Sequence, residues 1–326
     1  MNNLTCILRL GVAIGVLMSS AVAMAVEVWP SKPVKIVVTY AAGTPNDIWG
    51  RRIADRLSKA TGQSVIVENR VGAGGTIGTA AVAQAPADGY TLLFAGVGEL
   101  TIAPNLYQKL PYSVDKNLTP ITRFIVSRPI LVVHPGLGIK SATELVAMAK
   151  TKPGFFSGGS AGNGTITHLL LAQLNHAAGI DITHVPYKSG SQAITDVIAG
   201  HTSLMFDWMT TSAQLISSRQ LTPLLVVGSK RKPALPDVPT ASEAGLPTID
   251  IWGWNAFLAP GGTPRGTVDE IYRALQPILN SSEFAEMVAE IGADVITTTP
   301  DELGAFLRSE TKKMAALIRA NDMKVD

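Results

Sequence analysis

The segment Phe155–His168, FFSGGSAGNGTITH, carries the residues whose types and spacing suit chemistry. From Ser157 to Thr165 every side chain is small, amide or hydroxyl, and an apolar-periodic stretch follows, Ile166–Ala178, that reads as a helix. Side chains this small leave backbone N–H groups open at a helix N-terminus. That end carries about half a positive charge, so it suits a carboxylate or another anion. No lysine or arginine occurs between Lys152 and Lys188. An anion held here therefore relies on the Asn163–Gly164–Thr165 backbone, the Thr165 hydroxyl and the helix dipole.

Three enzyme-like motifs compete with that reading. Gly158–Gly162 fits G-x-S-x-G, the nucleophile elbow of α/β-hydrolases, with Ser160 as the nucleophile. Such an enzyme needs an acid followed by a histidine. The last histidine is His201, so only Asp181 and Asp196 are placed for that order, and both lie in segments that read as structural. Gly159–Thr165 approaches a P-loop, but Thr165 stands where the phosphate-binding lysine belongs. Gly72–Gly78 misses the dinucleotide fingerprint because its last glycine comes one residue late. A tight strand-to-helix turn without a ligand is the plain alternative. The five histidines show no metal-ligand spacing and read as structural or surface residues. His168 is a partial exception, one turn after Thr165 and able to face the same cleft.

Composition narrows the classes. Residues 1–25 read as a secretory signal peptide: Arg9, the apolar Leu10–Met18, then Ala23-Met24-Ala25 as an A-x-A cleavage site. The single cysteine, Cys6, lies in that leader, which leaves no disulfide, thiolate metal site or cysteine nucleophile in the mature chain. Losing Arg9, the leader's only charged residue, takes the formal charge from +2 to +1. That gives no electrostatic case for nucleic acid. The expected product is an exported periplasmic protein, without a cofactor.

The positioning elements follow from periodicity. Lys35–Tyr40 is an apolar β-branched strand that opens into Ala41–Asp47 and a helix from Ile48 to about Ala60. Thr44, Pro45 and Asp47 suit N-cap, N1 and N3 of that helix, so Asp47 is either a cap residue or a ligand reader. Strands Ser64–Glu68, Thr91–Ala95 (opening at Gly96), Asp181–Tyr187, Ser203–Phe206 (ending at Asp207) and Leu224–Gly228 repeat the unit. The helix Gln192–Ala199 lies among them. Strand and helix alternating at this spacing predict α/β architecture with parallel sheets, whose ligands sit beyond the strand carboxyl ends. Arg123–Pro135 and Asp250–Pro260 read as two crossings of one hinge. Lobe 1 is then 26–127 with 252–326, and lobe 2 is 128–251. Trp252 and Trp254 fit hinge packing. Thr267–Leu279 and Ser282–Ile291 read as surface helices, and Pro300–Ala320 as an amphipathic terminal helix capped by Thr299.

Read in order, several stretches resemble the tripartite tricarboxylate transporter receptors, the Bug family of extracytoplasmic solute-binding proteins. They are Trp29–Pro33, Glu68–Gly78, Ala87–Leu92, Leu110–Tyr112, Ser160–Thr165 with His168, His184–Lys188, Met205–Asp207, Ala234–Thr240 and Ala259–Pro264. The resemblance implies a type II periplasmic-binding-protein-like fold, two α/β lobes with a ligand cleft and a two-crossing hinge. It also implies delivery of a small carboxylate to a permease of one large and one small subunit. The family's first ligand loop falls on Tyr40–Asp47, with Tyr40, Thr44, Asn46 and Asp47, and its second on Ser160–Thr165. Gly96, Tyr187 and Asp207 join these as strand-end candidates. Asp207 would read an amine, hydroxyl or water at the ligand's far end. The chain departs from the family pattern at Thr44-Pro45, Ala103 and Ala256, and Thr44 adds a side chain where the family offers open backbone. The expected function is a monomeric carboxylate receptor without catalysis. The alternatives are an exported serine hydrolase using Ser160, or a receptor feeding a membrane sensor.

Overall fold

The computed structural model describes residues 29–321 except 229 and 291. The expected leader, the residue ending the 282–291 helix and the last five residues lie outside the described set. Lobe 1 opens with β1 (Val34–Val38), α1 (Pro45–Thr61), β2 (Val65–Asn69), α2 (Thr76–Ala83) and β3 (Thr91–Gly96). Two one-turn helices, α3 (Ala103–Leu106) and α4 (Val114–Asn117), lead into β4 (Leu118–Ser127). The second sheet then takes β5 (Pro129–Val133), α5 (Ala142–Thr151), β6 (Ser157–Ser160), α6 (Ile166–Ala178) and β7 (Thr183–Pro186). It continues with α7 (Gly190–Ile198), β8 (Leu204–Trp208), α8 (Met209–Ser217) and β9 (Thr222–Val226). The chain returns through β10 (Gly253–Pro260), α9 (Arg265–Leu279), α10 (Ser282–Glu290), β11 (Ala293–Val295) and α11 (Pro300–Ala320).

Helix ends follow their caps. Thr44 accepts from the Asp47 N–H at the start of α1, and Gly62 ends it in the left-handed region. Thr165 caps α6, and Thr299 with Glu302 forms a reciprocal capping box on α11. These two helices occupy the spans that their periodicity predicts. Neither α5 nor α8 is read from the sequence. The hydroxyl-rich α8, MTTSAQLIS, is a poor intrinsic helix former, and it starts over the buried Asp207, which accepts from Thr211 and Ser212.

The sheets correct one expectation: they are mixed, not parallel. The first runs β11-β4-β10-β3-β1-β2, and β10 lies antiparallel to both β3 and β4. The second runs β7-β6-β8-β5-β9, with β5 antiparallel to β8 and β9. The reason is connectivity. A strand that arrives from the other sheet enters at the carboxyl ends of its neighbours and must run against them. Gly253 pairs with Ser127, and two residues on Asn255 pairs with Gly96 at the end of β3. Pro129 pairs with Trp208 at the end of β8. Arg128 thus joins the sheets at the same edge where the parallel strands of both terminate.

Three cores hold this frame. Phe94, Phe124, Phe257 and Phe284 pack under α1, α9 and α10, with Phe124 and Phe257 stacked at 4.9 Å. Ile194, Val197 and Met205 lie in a second core with Met209. The third joins both sheets: Trp254, Leu303, Leu307 and Met314 cluster with Leu170, Leu174 and Phe206. Trp252 and Trp254 pack on Phe306 of α11, so both tryptophans serve packing here. Phe124 is fully buried among three other phenylalanine rings. We therefore expect Phe124→Ala to cost ~3–5 kcal/mol in urea unfolding.

Candidate functional site

The candidate loops of each lobe follow the ends of its strands. On lobe 1, Thr44 does two jobs: its hydroxyl donates to the Ala41 carbonyl at 2.7 Å and accepts from the Asp47 N–H. Asp47 is buried and fully engaged. Its carboxylate accepts from Gly43 N–H at 2.9 Å, Arg51 Nε at 3.0 Å and Asn69 Nδ2 at 2.7 Å. Burial alone would raise its pKa. Arg51, the Gly43 N–H and Asn69 outweigh it and hold the carboxyl below the usual range. The ionised Asp47 therefore compensates the α1 dipole from inside the loop. Of the two roles open to it in the sequence, the cap-like one describes its bonds. Asn69 also donates to the Tyr40 carbonyl at 3.0 Å, which ties both ends of the loop to β2.

Tyr40 Oη accepts from Asn255 Nδ2 at 3.3 Å, which leaves its O–H proton to donate. Burial, then the nearby Glu99, raises its pKa well above the ordinary value, so it stays a neutral phenol. Gly96 makes room for it: a Cβ there would stand 2.5 Å from Tyr40 Oη and 2.7 Å from the Trp254 carbonyl oxygen. Asn46 is half-buried at N2 of α1.

On lobe 2 the loop after β6 satisfies most of its own donors. Ala161 N–H donates to Thr167 Oγ1 at 3.0 Å, Gly162 N–H to Ser160 Oγ at 3.1 Å, and Gly164 N–H to His168 Nδ1 at 3.3 Å. Thr165 N–H reaches the Gly162 carbonyl, and its hydroxyl receives the His168 N–H. The backbone N–H groups of Asn163, Ile166 and Thr167 have no partner among the described residues. The first turn of α6 contains no acid. Among the expected donors, Asn163 and the α6 terminus remain open, whereas Gly164, at φ +74°, is engaged by His168.

Other candidates have internal partners. Tyr187 Oη donates to Asp196 at 2.7 Å while its ring packs near Gly159. Asp207 accepts from Ser212 at 2.5 Å and from Thr211, and burial still raises its pKa. It anchors α8, and both hydroxyl donors come from its own lobe. The buried Ser160 lies 2.6 Å from His184 Nε2, and His184 stacks on His168 with centroids 3.8 Å apart and 7° between planes. The sequence reading missed the His184 contact. Its residue spacing gave no sign of it, because the pairing of β6 with β7 brings the two together. No carboxylate among the described residues bonds His184. Asp196 holds Tyr187 and His201 instead. A serine–histidine pair is present without the acid that would orient it.

Two α/β lobes joined by paired crossings define a type II periplasmic-binding-protein fold. Comparisons with known proteins agree. The model of the tripartite tricarboxylate transporter family receptor matches residues 49–323. The protein BugT of Bordetella pertussis is 31% identical over 321 residues, covering 97% of this chain and 98% of its own. Among solved structures, Rpa4515 of R. palustris with adipate superposes with TM-score 0.85 at 29% identity, covering 91% of this chain and 99% of its own. MatC from Rhodopseudomonas palustris with bound malate gives TM-score 0.81 at 28% identity, covering 89% and 100%. The chain belongs to the tripartite tricarboxylate transporter receptor family, and within it to the Bug-type receptors.

Burial, and for His184 also His168, depresses both imidazoles below the usual histidine range, His184 to about 4. Both are thus neutral in the folded chain at neutral pH. The stabilisation from keeping them neutral is present above the unfolded pKa of about 6.5 and is lost as pH falls toward about 4. A His168→Gln/His184→Gln variant should therefore lose less thermal stability than wild type between roughly pH 6.5 and 4.5, followed by circular dichroism melts.

Proposed function

We propose that this chain is a periplasmic receptor that captures a small organic carboxylate in the cleft and delivers it to the membrane permease of a tripartite tricarboxylate-type transporter. The observation that carries the reading is the asymmetry of the two helix N-termini. Asp47 neutralises that of α1 within its own loop, while α6 presents the Asn163, Ile166 and Thr167 N–H groups without an acid or a partner. A carboxylate there satisfies orphan donors and completes the dipole. Tyr40, Thr44 and Asn46 then face the remainder of the ligand from lobe 1. The adipate and malate held by relatives point to aliphatic dicarboxylates as the first class to test.

Ser160 in this reading is a turn residue that accepts the Gly162 N–H, and the receptor performs no catalysis. The same reading takes residues 1–25 as a cleaved leader and the mature protein as a monomer. Among the described residues, no helix is long and apolar enough to cross a membrane.

A thermal-shift screen over di- and tricarboxylates, acidic amino acids and aromatic acids tests it, since ligand at about a hundred times Kd adds roughly 2.7 kcal/mol. The site is tested by Ile166→Pro. Position 166 is N1 of α6 and Thr165 is extended at φ −81° and ψ 163°, so proline fits and removes only one open donor. We expect roughly ten- to a hundredfold weaker binding of the best ligand with the fold retained, because a hydrogen bond to a charge contributes ~1.5–3 kcal/mol. Unchanged affinity would move the carboxylate away from α6. Stoichiometric labelling of Ser160 by a serine-directed phosphonate would establish the hydrolase instead.

A further inference from the structure

Behind the lobe 1 loops lies an ionisable group that the binding scheme above leaves unused. Glu99 lies three residues beyond β3, in the π-helical turn Gly98–Ile102, and is 2% exposed. Its Oε1 accepts from the Thr39 hydroxyl at 2.5 Å and from the Gly96 N–H at 3.0 Å. Both donors converge on one oxygen, which leaves Oε2 to carry a proton. The carboxyl packs against Gly75, φ +92°, where a Cβ would stand 2.9 Å from Cδ and 3.1 and 3.2 Å from the two oxygens. Thr39 and Gly96 stand at the ends of β1 and β3, and Gly75 in the loop after β2. One buried carboxyl therefore fastens all three lobe 1 loops.

Among the described residues, no cation bonds it. The ionisable groups around Glu99 are phenols: Tyr40 on the β1 loop, and Tyr112, whose Oη donates to the Glu99 carbonyl at 2.6 Å, with Tyr107 beside it. On α2 and β10, the uncharged Thr79 and Asn255 stand against Tyr112 and Tyr40. Arg51 and Arg70 on the neighbouring elements are committed to Asp47 and Asn69, and to Glu68. Burial, opposed in part by the Thr39 and Gly96 hydrogen bonds, brings the Glu99 pKa up to about 7.

We infer that carboxylate capture by this receptor takes up a proton at Glu99, so that the cleft binds its anion together with a neutral acid behind the lobe 1 loops. The inference rests on the carboxylate-receptor reading and adds its regulation by pH. A bound carboxylate brings negative charge to a cleft backed by Glu99, which has no counter-ion among the described residues. Like charge favours the protonated form, and by linkage the proton strengthens ligand binding by the same factor. Affinity falls as pH rises through about 7 and Glu99 ionises. If the ligand raises the Glu99 pKa by about one unit, the dissociation constant changes about tenfold between the two limits.

The test is calorimetry of adipate and malate, near pH 7, in two buffers of unlike ionisation enthalpy, alongside thermal shifts. Wild type should take up a measurable fraction of one proton and bind about fivefold more weakly near pH 8 than near pH 6. Glu99→Gln should bind without proton uptake and with a flat pH profile. His168→Asn, His184→Asn and Asp207→Asn, whatever their affinity, should each retain the uptake, and together these leave Glu99 as its source even if Glu99→Gln folds poorly. Binding without proton uptake in wild type, uptake that persists in folded Glu99→Gln, or uptake lost in any of the three Asn variants overturns the inference and leaves the receptor reading intact. Absence of any thermal shift with these acids and the wider carboxylate set overturns the receptor reading, and the coupling with it.

Discussion

The Thr165 hydroxyl is the fastening on which the lobe 2 side of the cleft depends. It donates to the Gly162 carbonyl at 2.7 Å, accepts the His168 N–H, and lies 3.0 Å from the Thr167 hydroxyl. Thr167 in turn receives the Ala161 N–H. One side chain therefore closes the turn after β6, caps α6 and fixes the loop donors. With those bonds made inside the loop, the N–H groups left over are the ones at the helix start. A preorganised set of donors costs little reorganisation when an anion arrives, and this favours affinity without ion pairs.

Charge is distributed unequally between the lobes, and that inequality organises the cleft. Lobe 1 places its acids behind the loop surface. Asp47 is held ionised by Arg51 and Asn69, and Glu99 is buried among hydroxyls and phenols. Lobe 2 places neutral imidazoles beside its loop and no acid in the first turn of α6. The first turn of α6 is therefore the one of the two loop-borne helix starts without a nearby acid, whereas Asp47 stands in that of α1.

The His184–Ser160 contact shows why motif and site must be kept apart. G-x-S-x-G brings a serine to a strand-to-helix turn in many contexts. Here the hydroxyl lies against an imidazole whose stacking partner is a second imidazole, with no carboxylate bonded to it among the described residues. Burial and the neighbouring ring leave that imidazole a weak base. The pair closes a turn, as the Gly162 N–H on Ser160 indicates.

Local signals alone sufficed for α6 and α11, because caps at Thr165 and Thr299 and the 3.6-residue period act within a few residues. The same holds for the loop at Ser157–Thr165, whose small residues and missing cations are visible in the chain itself. The mixed sheets were not, because strand direction is set by where the chain re-enters a sheet, as Gly253 does beside Ser127. Nor was α8, whose weak helix formers are held by the buried Asp207. The internal partners of Asp47 likewise appear only on folding, which brings Arg51, Asn69 and the Gly43 N–H around its carboxylate. His184 and Glu99 were silent for the same reason. A group's partner, burial and proton affinity come from residues far away in sequence, and only the packed chain brings those residues within hydrogen-bonding distance.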